Sequence, residues 1–313
     1  MMLSEILKIK HSLILAPMFM VTNTKMVEAA LNAGATGVLA AHNYRHPEAL
    51  RKAVRKLHDK KLRPFGVNLV LDFESEQFRG YLEVCKEERV DFIISSLGDP
   101  KMVVDACKPL GIKVFSDVIN IQHATKAVER GVDALVAVTR DAGGHAGRLT
   151  AEELIYQLVS QFDVPVIAAG GVANHDEYKR MIALGASGVS VGTAFIATQE
   201  CDVSDEYKQA LINADKNDVL LTKRISGIPI TVLKTPYITS IGERRSFLEK
   251  KLKRYKRLKH FMGNAMPIIG LERYKHHVVG PDYQKIFCAG PSVQHIHSVT
   301  SVADVVRRIV DEN

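Results

Sequence analysis

Two stretches decide the fold: VPVIAAGGV at residues 164–172 and GVSVGTAF at residues 188–195. Each is an apolar run that ends in a glycine turn. The segment between them is polar and amphipathic, and it closes at Gly185. An apolar run, a turn, an amphipathic segment and a second apolar run are typical of a βα unit. The two stretches therefore predict parallel strands joined by a helix.

The same unit recurs toward the amino terminus. Nearly continuous apolar runs predict strands that are covered on both faces. A closed barrel and an open, doubly wound sheet both satisfy this pattern, but eight units within residues 13–200 and no GxGxxG turn after an early strand favour the barrel. We therefore predict an α/β fold, a (β/α)8 TIM barrel. The predicted strands are residues 13–16, 36–40, 65–71, 91–95, 112–116, 133–138, 164–168 and 187–191.

The βα rhythm is lost between residues 203 and 285. We predict a mainly helical insertion there, which would form a substrate or lid subdomain. Val302 to Val310, with Ser301 as its cap, would be the last barrel helix. The predicted domains are thus a barrel of residues 1–202 and 286–313 and an insertion of residues 203–285.

Charge and composition limit the function classes. The net charge is +7, and nine Lys or Arg fall between Arg244 and His260. This run is interpreted as a solvated helix face or as a docking surface for an acidic partner or a phosphorylated cofactor. Nucleic acid is not expected as a partner, because only Tyr255 interleaves the run.

Location and cysteine chemistry follow from similar arguments. The apolar run from Leu13 to Val21 is interrupted by Pro17, so it predicts a strand rather than a signal peptide. No segment reaches the ~18 apolar residues of a membrane span, so we expect a cytoplasmic protein without a membrane partner. The four cysteines are far apart and lack zinc spacing, so we expect reduced thiols and no metal.

The predicted barrel places chemistry at the carboxyl ends of the strands. Gly170-Gly171 follows the seventh strand, and Gly192-Thr193 follows the eighth. Such turns bring backbone N–H groups to an anion, and the next helix adds its positive dipole end, although ordinary tight turns have the same residues. These positions predict a phosphate site.

Two further motifs lie at the same end. His145 follows the sixth strand within the glycine loop of residues 141–148, which would leave its imidazole free to project into the site. Asn68 is a polar residue in the third strand, and its amide suits the edge of a flavin ring or a purely structural hydrogen bond.

Together these motifs resemble the nitronate monooxygenases and the related FMN-dependent enoyl-acyl-carrier-protein reductases. The most specific elements are residues 142–147, 168–173 and 192–200. The resemblance implies FMN as cofactor and His145 as the catalytic residue. The implied cofactor contacts are Ala16, Pro17, Met18, Asn68, Ala142, Gly143, Gly144, Gly170, Gly171, Gly192 and Thr193. Asp117, which follows the fifth strand, is a further predicted contact at a position where the sequence departs from the family pattern.

Competing functions follow from the resemblance. The first is oxidation of alkyl nitronates with O2, and the second is reduction of an enoyl-acyl-carrier-protein or a quinone by NADH or NADPH. In the second, acyl carrier protein would be a partner, and its acidic surface would suit the basic run. A barrel without flavin that binds another phosphate compound is a further class. A homodimer is compatible with the sequence.

Overall fold

The computed structural model describes residues 1–71, 75–223, 225, 229–241 and 286–311. The basic run of residues 244–260 and most of the predicted insertion lie outside these residues. None of the described helices is long and apolar enough to cross a bilayer. The thiols of Cys85, Cys107, Cys201 and Cys288 are free.

Eight parallel strands form a closed barrel, which confirms the predicted fold. All eight predicted strands are present within a few residues of their expected limits. The barrel strands in spatial order are β1 Leu13–Leu15, β2 Thr36–Ala40, β3 Gly66–Val70, β4 Phe92–Ser96, β5 Lys113–Val118, β6 Ala134–Val138, β8 Val166–Ala169 and β9 Gly188–Val191.

Outer helices connect these strands and bury one face each, as their spacing of apolar residues predicts. Helix α3 begins at Pro47, where a missing N–H costs nothing, and it buries Leu50, Val54 and Leu57. The connecting helices are α2 Thr24–Asn32, α3 Pro47–Asp59, α4 Glu76–Glu87, α5 Lys101–Cys107, α6 Ile121–Glu129, α7 Ala151–Gln161 and α8 His175–Ala183.

The barrel interior is an apolar core that is closed at the amino-terminal ends of the strands. Phe92 and Phe115 contact each other there with ring centroids 5.0 Å apart. Helix α1, Leu3–Leu7, was not predicted; it caps the amino-terminal end of the barrel and packs Leu3 and Leu7 against this core. Because α1 fills the amino-terminal end of the core, the carboxyl ends of the strands are where a ligand site is expected.

The region after β9 combines helices with a β-hairpin. Strand β10 (Val219–Thr222) pairs with β11 (Ile230–Leu233), and β11 pairs with a two-residue strand, β7 (Gly144–His145). The α-helices among the described residues between β9 and residue 241 are α9 Thr193–Ile196, α10 Asp205–Ile212 and α11 Pro236–Ile241. The hairpin was not predicted, because its partner strand in the barrel loop is distant in sequence.

The closing helix, α12, covers Val302–Val310 with Ser301 as its N-cap, as predicted. Ser301 Oγ accepts from the backbone N–H of Asp304 at 3.1 Å. The Glu200 carboxylate, just beyond β9, accepts from the backbone N–H of Val302 at 3.0 Å. The chain is thereby anchored to the barrel again after the insertion.

Replacing Ser301 tests this anchor. We expect Ser301→Ala to lower the free energy of unfolding by about 1 kcal/mol, because the cap of α12 is lost. Urea unfolding measures the change. Ser301→Thr keeps a capping hydroxyl and is expected to retain most of the stability; equal losses in both variants would contradict the capping role.

Candidate active site

The turn after β8 is the first part of the site, and its glycines have backbone conformations that other residues rarely adopt. Gly170 and Gly171 have φ of +109° and +76°. A Cβ at Gly170 would lie 2.5 Å from the Ala142 nitrogen and 2.6 Å from Thr139 Oγ1. The turn therefore requires glycine, because the loop that follows β6 lies directly against it.

The turn after β9 contacts the loop after β1. A Cβ at Gly192 would lie 3.2 Å from Met18 Sδ and 3.7 Å from Ala16 Cβ. Thr22 shapes the β1 loop: its Oγ1 donates to the Ala16 carbonyl at 2.8 Å and accepts from the Met18 N–H at 2.9 Å. Ala16, Pro17 and Met18 thus lie beside the last glycine turn, as expected for one shared site.

The loop of residues 141–148 packs on both glycine turns. A Cβ at Gly143 would lie 2.8 Å from Thr193 Oγ1 and 3.0 Å from the Gly290 nitrogen. The Gly290 N–H itself donates to Thr193 Oγ1 at 3.0 Å. Ala142, Gly143 and Thr193, which were predicted separately, therefore share one tightly packed region with Gly290 from beyond the insertion.

The insertion holds His145 in place. The backbone of His145 lies in β7, in register with Ile230 of β11. Thr231 Oγ1 donates to the Ala142 carbonyl at 2.5 Å, and it lies 3.3 Å from the Gly144 carbonyl. Antiparallel pairing therefore fixes the backbone of this loop, while the projection of the imidazole into the site stays a prediction.

Burial sets the charge of the His145 imidazole. Desolvation lowers its pKa below the ordinary value of 6.5, since the charged form loses hydration inside the protein. His145 is accordingly neutral at neutral pH, with one ring nitrogen able to accept a proton.

A chain of hydrogen bonds joins the ends of β3, β4 and β5. Asn68 Nδ2 donates to Ser96 Oγ at 2.7 Å, and Ser96 Oγ donates to Asp117 Oδ2 at 2.5 Å. Burial raises the pKa of Asp117 to about 6, and the Ser96 hydrogen bond opposes part of that rise. Asn68 and Asp117 are thus brought together through a residue that was not predicted.

This polar chain lies between the apolar core and the carboxyl ends of the strands. Side chains alternate along a strand, so Ser96 follows the inward-facing Ile94, and Asp117 follows the inward-facing Phe115. Elsewhere in the same layer the strand ends carry small residues, among them Ala16, Ala169 and Gly192. Small side chains around a polar edge leave room for a flat ligand.

The two halves of the site face each other across the barrel. In an eight-stranded barrel the fourth strand, β4, lies opposite the eighth, β9. The polar chain is centred on β4, and the glycine turns follow β8 and β9. The arrangement suits an elongated ligand with an anionic group at the glycine turns and a polar ring edge on the far side.

Ser96 and Thr231 were missed by the sequence reasoning. The polar pair Ser95-Ser96 at the end of an apolar strand was a usable signal for Ser96. Nothing local marks Thr231, because its partners Ala142 and Gly144 lie far away in the sequence.

Comparisons with known proteins show which family the chain resembles. The model of the nitronate monooxygenase family matches residues 1–78 and 72–312. The chain is similar to the (3aS,4S,5R,7aS)-5-hydroxy-7a-methyl-1-oxo-octahydro-1H-indene-4-carboxyl-CoA dehydrogenase of Rhodococcus jostii (strain RHA1), with 28% identity over 76% of this chain and 67% of the relative. A probable nitronate monooxygenase of Staphylococcus aureus (strain JH9) is 26% identical over 72% of this chain and 76% of its own.

A solved structure is also similar to this chain. FabK from Thermotoga maritima superposes with a TM-score of 0.81 at 28% identity, and the match covers 98% of this chain and 94% of that chain. The likeness therefore extends over both the barrel and the region after β9.

Replacing Asp117 tests the partly buried carboxyl. Its pKa is raised from 3.8 to about 6 in the folded protein, so its protonated form stabilises the fold at low pH, and this contribution is lost as the pH rises through about 6. We expect Asp117→Asn to be more stable than the wild type above pH 7 by roughly 1–3 kcal/mol, with the difference shrinking toward pH 4.5.

Urea unfolding between pH 4.5 and 8, without added flavin, measures the difference. Ser96→Ala is the companion variant. Removing its hydroxyl should move the midpoint of the pH dependence upward, since that hydrogen bond lowers the Asp117 pKa. A stability difference that does not change with pH would contradict the assignment.

Proposed function

The chain belongs to the nitronate monooxygenase family, and from that premise we propose that it is an FMN-dependent oxidoreductase with His145 as its catalytic residue. One observation supports this most directly. The glycine turns after β8 and β9 lie across the barrel mouth from the Asn68–Ser96–Asp117 chain, and the loop carrying His145 is packed against the turns. A phosphorylated, ring-bearing cofactor matches this layout.

The residues present fit FMN, which members of this family typically bind. Gly170, Gly171, Gly192 and Thr193 would hold the phosphate with backbone N–H groups. The ring would lie over the small side chains of the mouth, beside Ala16, Pro17 and Met18, with Asn68 at its edge. Ala142, Gly143 and Gly144 would cover the phosphate side. When bound, FMN supplies the electron-accepting and electron-donating chemistry.

The role of His145 follows from its protonation state. A neutral, partly buried imidazole can take a proton from a carbon acid or donate a hydrogen bond to a substrate oxygen. Its backbone is held by β11, so the side chain starts from a fixed backbone position. Pre-organisation of this kind reduces the ordering needed when the substrate binds.

Two substrate classes are proposed. Alkyl nitronates, oxidised with O2, follow from the family and from the relative in Staphylococcus aureus. Acyl thioesters follow from the relative in Rhodococcus jostii and from FabK. The raised pKa of about 6 still leaves Asp117 largely ionised at pH 7. A partly buried carboxylate at the mouth repels an anionic nitronate more than an uncharged thioester group, and this favours the thioester class.

Anaerobic reduction of the bound flavin separates the classes. The FMN-loaded protein is mixed in turn with NADH, NADPH, propyl-2-nitronate and a saturated acyl-CoA, and bleaching of the flavin absorbance is followed. Fast bleaching by the nitronate alone supports nitronate oxidation. Fast bleaching by the acyl-CoA supports thioester chemistry, and fast bleaching by a pyridine nucleotide supports a reductase acting on an enoyl thioester or a quinone. A protein that shows no flavin bands after FMN addition would reject the enzyme assignment and leave a barrel for another phosphate ligand.

Replacing His145 tests its catalytic role. We expect His145→Ala to bind FMN like the wild type but to lose about 100-fold or more in turnover of a neutral nitroalkane or thioester, because a general base contributes about that much. In the wild type, kcat/KM should fall only below pH 6.5 on the acid side, since the pKa of His145 is lowered. Unchanged turnover in the variant would make His145 structural.

A further inference from the structure

The Asn68 amide is oriented by its surroundings. Its Nδ2 donates to the Ile94 carbonyl at 3.0 Å and to Ser96 Oγ at 2.7 Å, and the residue is only 9% exposed. A backbone carbonyl can only accept, so the nitrogen of the amide must face Ile94. Both N–H groups of the amide are used by the Ile94 carbonyl and Ser96 Oγ. Oδ1 is therefore the group that Asn68 presents on its other side.

The Ser96 hydroxyl places a second constraint on the orientation of the Asn68 amide. A hydroxyl has one hydrogen, and in Ser96 that hydrogen is donated to Asp117 Oδ2 at 2.5 Å. The lone pairs of Ser96 Oγ are thereby left to accept from Asn68. Without Asp117, the Ser96 hydroxyl could turn its hydrogen toward Asn68 Nδ2, which would cost the amide one of its two acceptors and leave the Ile94 carbonyl alone to hold the nitrogen in place.

We propose that Asp117 is a positioning residue that acts through Ser96 on Asn68, so that Asn68 Oδ1 faces the barrel mouth as the acceptor for an N–H group of the flavin ring. The inference rests on the proposed FMN site and adds a residue that sets its hydrogen-bonding character. An oxygen at this place accepts from a ring N–H, whereas a flipped amide would offer a donor to the same atom and lose the bond.

The affinity for FMN, followed by quenching of flavin fluorescence, tests the proposal. We expect Ser96→Ala and Asp117→Ala each to weaken binding about tenfold, as the loss of one hydrogen bond implies. Asp117→Asn should stay within about twofold of the wild type, because its amide oxygen can accept from Ser96. Melting temperatures of the flavin-free variants separate loss of folding from loss of binding.

Ser95 offers a matched control on the same strand. It is 1% exposed, and its Oγ donates to the Phe115 carbonyl at 3.0 Å, away from Asn68. Ser95→Ala removes a buried hydroxyl from the neighbouring position and should leave the FMN affinity unchanged. A loss as large as that of Ser96→Ala would show a general packing effect and overturn the proposal.

A double-mutant cycle identifies the route of the effect. If Ser96 acts through Asn68, adding Ser96→Ala to Asn68→Ala should cost no further affinity. Additive losses of affinity would overturn the positioning role. So would an Asp117→Asn variant that binds FMN as weakly as Asp117→Ala. This comparison of the two Asp117 variants can be made even if Ser96→Ala does not fold. Wild-type protein that binds no FMN would overturn the proposed function itself, whereas wild-type binding with unaffected variants would overturn this inference alone.

Discussion

Closure of the barrel between β1 and β9 is the constraint on which the rest of the structure depends. Leu13, Ile14 and Leu15 pair in parallel with Val189, Ser190 and Val191. Because this pairing joins the first strand to the last, all eight strands point the same way around one core, and their carboxyl ends meet at one mouth. Residues from far-apart parts of the chain, such as Met18 and Gly192, become neighbours for this reason alone.

Close backbone packing then fixes the loops at that mouth. A Cβ at Gly143, Gly170 or Gly290 would come within about 3 Å of another loop. The three loops can therefore approach one another this closely only because these positions are glycine. The hairpin of the insertion adds Thr231, which binds two carbonyls of the loop that carries His145. The candidate site is therefore built jointly by the barrel and by the region after β9.

The polar chain inside the barrel shows how stability and function are balanced. An apolar trio in place of Asn68, Ser96 and Asp117 would avoid the desolvation that raises the pKa of Asp117. The cost is limited because each donor in the chain has an acceptor within 3.0 Å. Polar groups that are fully connected in this way hold a fixed orientation, which is useful where a ligand must be met by a donor or an acceptor of one kind.

The sequence by itself determined the barrel, its strand positions, the closing helix with its Ser301 cap, and the glycine turns, because periodicity, capping and turn chemistry act between residues that are close along the chain. The tertiary structure alone decided three features: the Ser96 link between Asn68 and Asp117, the pairing of His145 with Ile230, and the packing of helix α1 against the amino-terminal end of the barrel. Each of these depends on contacts between distant segments, and such contacts leave no periodic signal in the residues that make them.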